Sequence, residues 1–169
     1  EFGLDLLNPM STVYADFNRD GRMDLITAQS AIRDKSIDSK LYLFENHLEN
    51  NGARSLRFYP RGQKSNYHGV NAMVILKVEK PNGEISLRRQ MVGDSYGALP
   101  PQNEEGLHFG LKKGEKLISV KVRWPYSKKS KNLRSKLEKV YKIKDSFSDY
   151  MNITLCEDGS HLVGRRSCN

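Results

Sequence analysis

The chain has 169 residues, 37% hydrophobic and 28% charged, with a net charge of +8 and a pI near 9.5. That length suits one ordinary domain or two small ones with a core of their own. No run of about 18 apolar residues offers a membrane-spanning helix, and no charged-then-apolar leader opens the sequence, so an exported protein would already have lost its signal.

Strand signals outnumber helix signals along the chain. Period-two alternation runs through "STVYADF" (11–17), "MDLITAQ" (23–29) and "KLYLFEN" (40–46), then "NAMVILKVEK" (71–80), "EISLRRQMVG" (84–93), "LHFGL" (107–111), "KLISVKVRW" (116–124) and "KVYKIKD" (139–145). Pro81-Asn82-Gly83 predicts a hairpin turn, because Asn-Gly accepts the positive φ angles a tight hairpin needs. In the run 116–124, Ile118, Val120, Val122 and Trp124 share one face, which predicts core. "SKKSKNLRSKLEKV" (127–140) holds good helix formers with a thin apolar stripe and allows one short helix. Composition shifts at "ENHLENNGARS" (45–55), rich in Asn, Gly and charge, which places a boundary there. The expected organisation is a unit at 1–50, a β domain at 56–145 and a C-terminal tail at 146–169.

The stretch "DFNRDGRMD" (16–24) has metal-loop spacing. Asp16, Asn18 and Asp20 offer side-chain oxygens at alternate residues, Gly21 permits the bend, the Arg22 carbonyl can turn inward, and Asp24 stands ninth. Calcium needs six to eight oxygens from such a loop. An EF-hand would carry Glu at the twelfth position, where this chain has Thr27, and the flanks read as strands rather than helices. The expected object is therefore a calcium loop joining two strands, structural rather than catalytic, with an acidic turn capped by backbone N–H groups as the alternative. The acidic pattern occurs once, and one blade of three or four strands cannot bury both its faces alone.

Between 121 and 144 ten Lys and Arg face the single acid Glu138. A solvated basic surface is one reading; the other is attraction of an anionic polymer by Lys128, Lys129, Lys131, Arg134 and Lys136. Cys156 and Cys168, with 11 residues between them, would close a short loop in an oxidising compartment and mean little in a reducing one. Asn152-Ile153-Thr154 is a glycosylation sequon. His108 in "LHFGL", a lone His between apolar residues on a strand, reads as a hydrogen-bonded core residue rather than as a ligand or base partnered by His68 of "NYHGV". With Asp94-Ser95 neither makes a triad, since no Gly-x-Ser-x-Gly elbow is present.

Residues 12–46 resemble one FG-GAP (VCBS-type) repeat, the calcium-binding blade of integrin-like propellers. Residues from about 56 to 145 resemble the ASPIC/UnbV domain, through "GQKSNYHGVNAMVIL", "RRQMVGDSYGALPPQ" and "LHFGLKKGEKLISVKVRWP". Asn71, where that family usually has a second Gly, and the segment "ALPPQNEEG" depart from its pattern. The resemblance implies a mostly β protein, a propeller-blade-like antiparallel unit packed on or linked to a β-sandwich. It implies the C-terminal part of a larger extracellular or periplasmic propeller protein, with calcium held by Asp16, Asn18, Asp20, Arg22 (backbone) and Asp24. The expected function is a non-enzymatic, calcium-stabilised module for adhesion or for binding a protein or glycan. The alternative is an accessory or hydrolytic domain that meets an acidic glycan or nucleic acid through the basic stretch 128–144.

Overall fold

The structure, a computed structural model, describes residues 6–49, 51–93, 106–125, 137–147 and 149–168. It is almost wholly β, as the alternation predicts. Among the described residues no helix is long and apolar enough to cross a membrane. The chain divides into two compact units, and among the described residues 6–49 fall in the first and the rest in the second.

The first unit is an antiparallel meander of β1 (Pro9–Ala15), β2 (Asp24–Gln29) and β3 (Lys40–Phe44) in the order β1-β2-β3. Register sets Val13, Ile26 and Leu43 in one row, with Ala28 and Leu41 beside it. The opposite face has Tyr14, Leu25 and Phe44 in a row, with Thr27 beside Tyr42. Both faces are therefore apolar, and Leu41 stays 73% and Leu43 54% exposed. The Thr12 hydroxyl donates to that of Thr27 at 3.0 Å, and Thr27 Oγ1 donates to the Ser11 carbonyl at 3.1 Å across a register shift in β1.

The second unit is a sandwich of two four-stranded sheets. One runs β11-β10-β4-β7, from β4 (Arg54–Arg61), β7 (Leu107–Leu111), β10 (Tyr150–Cys156) and β11 (His161–Val163). The other runs β6-β5-β8-β9, from β5 (Met73–Glu79), β6 (Ile85–Met91), β8 (Lys116–Arg123) and β9 (Glu138–Tyr141). Leu56, Phe58, Phe109, Ile153 and Leu155 from the first sheet form one core with Val74, Leu76, Val78, Val120, Val122 and Tyr141 from the second. Their alternation along each strand is what a sheet buried on one face requires.

Three expectations are corrected here. The stretch 146–169 is no tail: β10 lies inside a sheet, parallel to β4, with Tyr150 opposite Ser55 and Cys156 opposite Arg61. Ile118 is 42% exposed, because a register shift beside Lys77 pairs Ser119 with Lys77 and Leu117 with Val78. The bulge turns Leu117 into the core and Ile118 out of it, while Val120, Val122 and Trp124 are buried as predicted. The allowed helix over 127–140 ends in a strand, since Glu138–Tyr141 pairs with β8; its part at 127–136 lies outside the described residues.

Where β6 faces β7, side chains close the edge. Arg88 donates to the Gly110 carbonyl and Gln90 to that of His108 at 2.6 Å, which occupies carbonyls that an edge strand would otherwise offer to another chain. Arg88 also meets both oxygens of Glu115 at 2.6 and 2.7 Å. At the end of the sandwich Arg54 meets Asp145 at 2.6 Å, donates to the Glu115 carbonyl at 2.7 Å and lies 4.6 Å from the Phe147 ring centroid.

Candidate functional site

The acidic loop joins β1 to β2, as its strand-like flanks predict. Asp16 and Asp24, at its two ends, are 3% and 1% exposed. Asp16 Oδ1 accepts from the Asp20 N–H at 2.9 Å and Oδ2 from the Gly21 N–H at 3.1 Å, so the loop curls over its first carboxylate. Arg19 and Gly21 adopt left-handed φ angles of 63° and 87° to make that turn. Asp24 accepts from the N–H groups of Asn46 at 2.8 Å and Phe17 at 3.2 Å.

Asp20 accepts from the Arg22 N–H at 2.8 Å, from the Asn18 amide at 2.9 Å and from the Arg22 guanidinium. Burial works against its charge, but these donors outweigh it and hold the Asp20 carboxyl below its ordinary value. Arg22 Nε donates to the Asn46 carbonyl at 2.5 Å, and the Asn18 amide reaches Glu45 at 2.8 Å. The donor set, three carboxylates, one amide oxygen and a curled backbone, fits a hard cation in chemistry and count. Among the described residues no three His, Cys, Asp or Glu side chains converge into a cage. With Arg22 on Asp20 and Asn18 turned to Glu45, the loop is closed by its own side chains.

A second constellation lies on the outer face of β4 and β10 and was not singled out by the motifs. Arg57, Tyr59 and Arg61 point there from β4, and Tyr150, Asn152 and Thr154 from β10. Arg57 and Arg61 are 3% and 4% exposed. Arg61 lies 5.8 Å from the Tyr59 ring centroid and 5.4 Å from that of Tyr67, Arg57 lies 5.6 Å from that of Tyr150, and Arg165 sits 5.8 Å from that of Tyr59. These are cation–π distances. Gly106 crosses close by: a Cβ there would stand 2.7 Å from the Tyr59 ring.

Two irregular segments border this face, and each is tied down. Glu157, 8% exposed, takes the N–H groups of Gln63, Lys64 and Ser65 on Oε2 at 2.7, 2.6 and 2.9 Å, with the Ser65 hydroxyl at 3.2 Å. Burial alone would raise its pKa; those N–H groups outweigh it and hold the carboxyl below its ordinary value. The Asn66 side chain brackets Val70, and Gly69, at φ 63°, passes so near Pro60 that a Cβ would meet its carbonyl oxygen at 2.8 Å. The last segment is fixed by the Cys156–Cys168 disulfide, by Thr154 Oγ1, which donates to the Gly164 carbonyl at 2.7 Å and accepts from the Arg166 N–H at 2.9 Å, and by Ser167 Oγ, 3.3 Å from Tyr67 Oη.

Of the other predicted residues, the two cysteines are joined. Lys128, Lys129, Lys131, Arg134 and Lys136 lie outside the described residues, as does Asp94-Ser95. Glu138 is held by Lys121 at 3.1 Å and Arg123 at 3.4 Å. The sequon is inside β10 rather than on a loop: Asn152 Oδ1 accepts from Tyr150 at 2.8 Å and Tyr59 at 3.2 Å, and Thr154 is fully buried. His108 is half-buried in β7 opposite Arg57, whereas His68 is exposed against Tyr67, with ring centroids 5.0 Å apart.

A family model described as ASPIC and UnbV matches residues 62–148, just over half of the chain. No curated protein matches, and no solved structure does.

Proposed function

The chain belongs to the ASPIC and UnbV family, and from that premise we propose that it is a non-enzymatic binding module of an exported protein. The observation that carries this reading is the fixing of two irregular segments side by side, 62–70 by Glu157 and 164–168 by the disulfide, next to an aromatic and cationic face. Rigid loops on a packed scaffold bind with little ordering cost. The disulfide also favours an extracellular or periplasmic setting.

The first unit is an FG-GAP-like blade whose neighbours belong to a larger propeller. Its two apolar faces support that reading, since a sheet of three strands shields neither by itself. Its loop takes calcium through Asp16, Asn18, Asp20, Asp24 and the Arg22 carbonyl. A bound ion would supply charge neutralisation and loop closure, and Asp20 would reach it only with the Arg22 guanidinium turned away from its present bond. Calcium should then raise the melting temperature of the first unit, by linkage worth about 2.7 kcal/mol at a hundredfold excess over Kd. Asp16→Ala should abolish that shift and Arg22→Gln should tighten calcium binding, read by calorimetric titration. An unchanged melting temperature in calcium overturns the metal assignment, and steady turnover of a polysaccharide or nucleic acid overturns the non-enzymatic one.

A further inference from the structure

The binding reading leaves the ligand unnamed, and the outer face of β4 and β10 is specific enough to name its class. Arg165, Tyr59, Arg61 and Tyr67 form a continuous series of guanidinium and ring contacts at 5.4 to 5.8 Å. Tyr67 is 48% exposed at the end of that series, Arg165 is exposed, and His68 stands edge-on to Tyr67. We propose that this surface binds an acidic saccharide, with a sugar ring laid against Tyr67 and its sulfate or carboxylate held by Arg165. The inference rests on the binding-module reading above.

Three considerations select this ligand class. An amphipathic ring with an apolar body and a polar tip suits the mixed face of a pyranose, and a planar guanidinium matches carboxylate and sulfate geometry with paired hydrogen bonds. A peptide would add to a strand edge, which in this sheet is β11, where Leu162 and Val163 are exposed; on the face itself β4 is paired on both sides by β10 and β7, and the bordering segments present Lys64, Tyr67, His68 and Arg166 beside Val70. Single-stranded nucleic acid would need successive stacking platforms; on this face Tyr59 is buried and Tyr67 is the exposed ring of the series. The disulfide further favours a compartment where acidic polysaccharides are met.

Both contact groups are presented by anchored backbone. Tyr67 follows the segment gripped by Glu157, and its hydroxyl meets Ser167, one residue from the bonded Cys168. Arg165 lies between Gly164, whose N–H donates to the Asn152 carbonyl at 2.8 Å, and Arg166, whose N–H is held by Thr154. The surface is therefore set before the ligand arrives.

The test is calorimetric titration of the full chain, in calcium, with a heparin-derived hexasaccharide, a tetragalacturonate and a neutral maltohexaose. At least one anionic probe should bind, maltohexaose should not, and binding should weaken as ionic strength rises. Preference for heparin assigns sulfate as the group held, and equal or stronger binding of galacturonate assigns carboxylate. Tyr67→Ala and Arg165→Gln should each weaken binding about tenfold, while Tyr67→Phe keeps the ring and the affinity. Because Tyr67 also meets Arg61 and Ser167 and Arg165 meets Tyr59, binding is compared at a temperature below the melt of every variant, where each is folded. Silence of both anionic probes overturns the inference, as does full binding by the Tyr67→Ala/Arg165→Gln double variant. Loss of binding on Lys128→Gln/Lys129→Gln, with Tyr67→Ala intact, also overturns it and moves the contact to the basic stretch. Any of these results with the calcium-dependent shift preserved leaves the module reading standing.

Discussion

Replacing Glu157 by Gln removes one charge from the joint that secures residues 63–65. The Glu157 Oε2 takes three backbone N–H groups within 2.9 Å and one hydroxyl. Hydrogen bonds to a charged acceptor contribute about 1.5–3 kcal/mol each and neutral ones about half that. Four donors on one oxygen do not add, and the amide oxygen of Gln still accepts, so the expected loss is about 2 kcal/mol, or about 8 °C in the melting temperature of the sandwich. The pH dependence carries the sharper signature. The folded-state pKa lies below the unfolded one, so the carboxylate's contribution is complete above about pH 4.3 and disappears as pH falls through the depressed folded value. Calorimetric melts of both proteins should differ at about pH 7 and converge below the folded pKa. A gap that is absent at neutral pH, or persists undiminished in acid, refutes the assignment of this joint to the Glu157 charge.

Arg54→Ala should lower sandwich stability by about 2–3 kcal/mol, because it strips Asp145 of its cationic partner, leaving the Leu117 N–H, and frees the Glu115 carbonyl. Urea midpoints would register this, and Arg54→Lys should recover only part, since an ammonium cannot span both sites. Reduction of Cys156–Cys168, whose positions differ by 12, should remove up to about 3 kcal/mol of chain-entropy stabilisation. Amide exchange at residues 164–168 should then rise ahead of that in β10, and unaltered exchange would show that Thr154 holds the segment unaided.

Much of the sheet architecture was legible because burial on one face leaves a period of two. Val74, Leu76, Val78, Val120 and Val122 display it, and the Pro81-Asn82-Gly83 turn sits where expected, with Gly83 at φ 81°. The strands missed were β4, β10 and β11. Arginines alternate with Tyr59 in β4, so an outer face that is itself buried looks polar in the sequence. Pro60 also argues against a central strand; it is harmless because β7 pairs with β4 only as far as Phe58. β10 was obscured by the sequon, although Met151, Ile153 and Leu155 alternate. The metal-loop spacing correctly announced a curled turn between strands, but not that Arg22 would close it. That depends on Asn46, which lies 24 residues away in sequence. Glu157 carried no motif, and Tyr67 stood inside "GQKSNYHGVNAMVIL" with no role of its own, since their roles arise from segments about 90 to 100 residues apart.

The parallel pairing of β4 with β10 sets a clock for the sandwich. The β5–β6 hairpin turns on a few residues and can close early, whereas Leu56 and Phe58 must wait for residues near 151–155. Contacts that span so much chain are slow to form, and until they form the inner side of β4 stays exposed to aggregation or proteolysis. The same pairing marks where the chain can be cut. The matched stretch 62–148 contains neither strand, so an excised fragment with those ends would lack three adjacent strands of one sheet, β11, β10 and β4. Excision from before Arg54 to after Cys168 keeps the sheet and its disulfide intact.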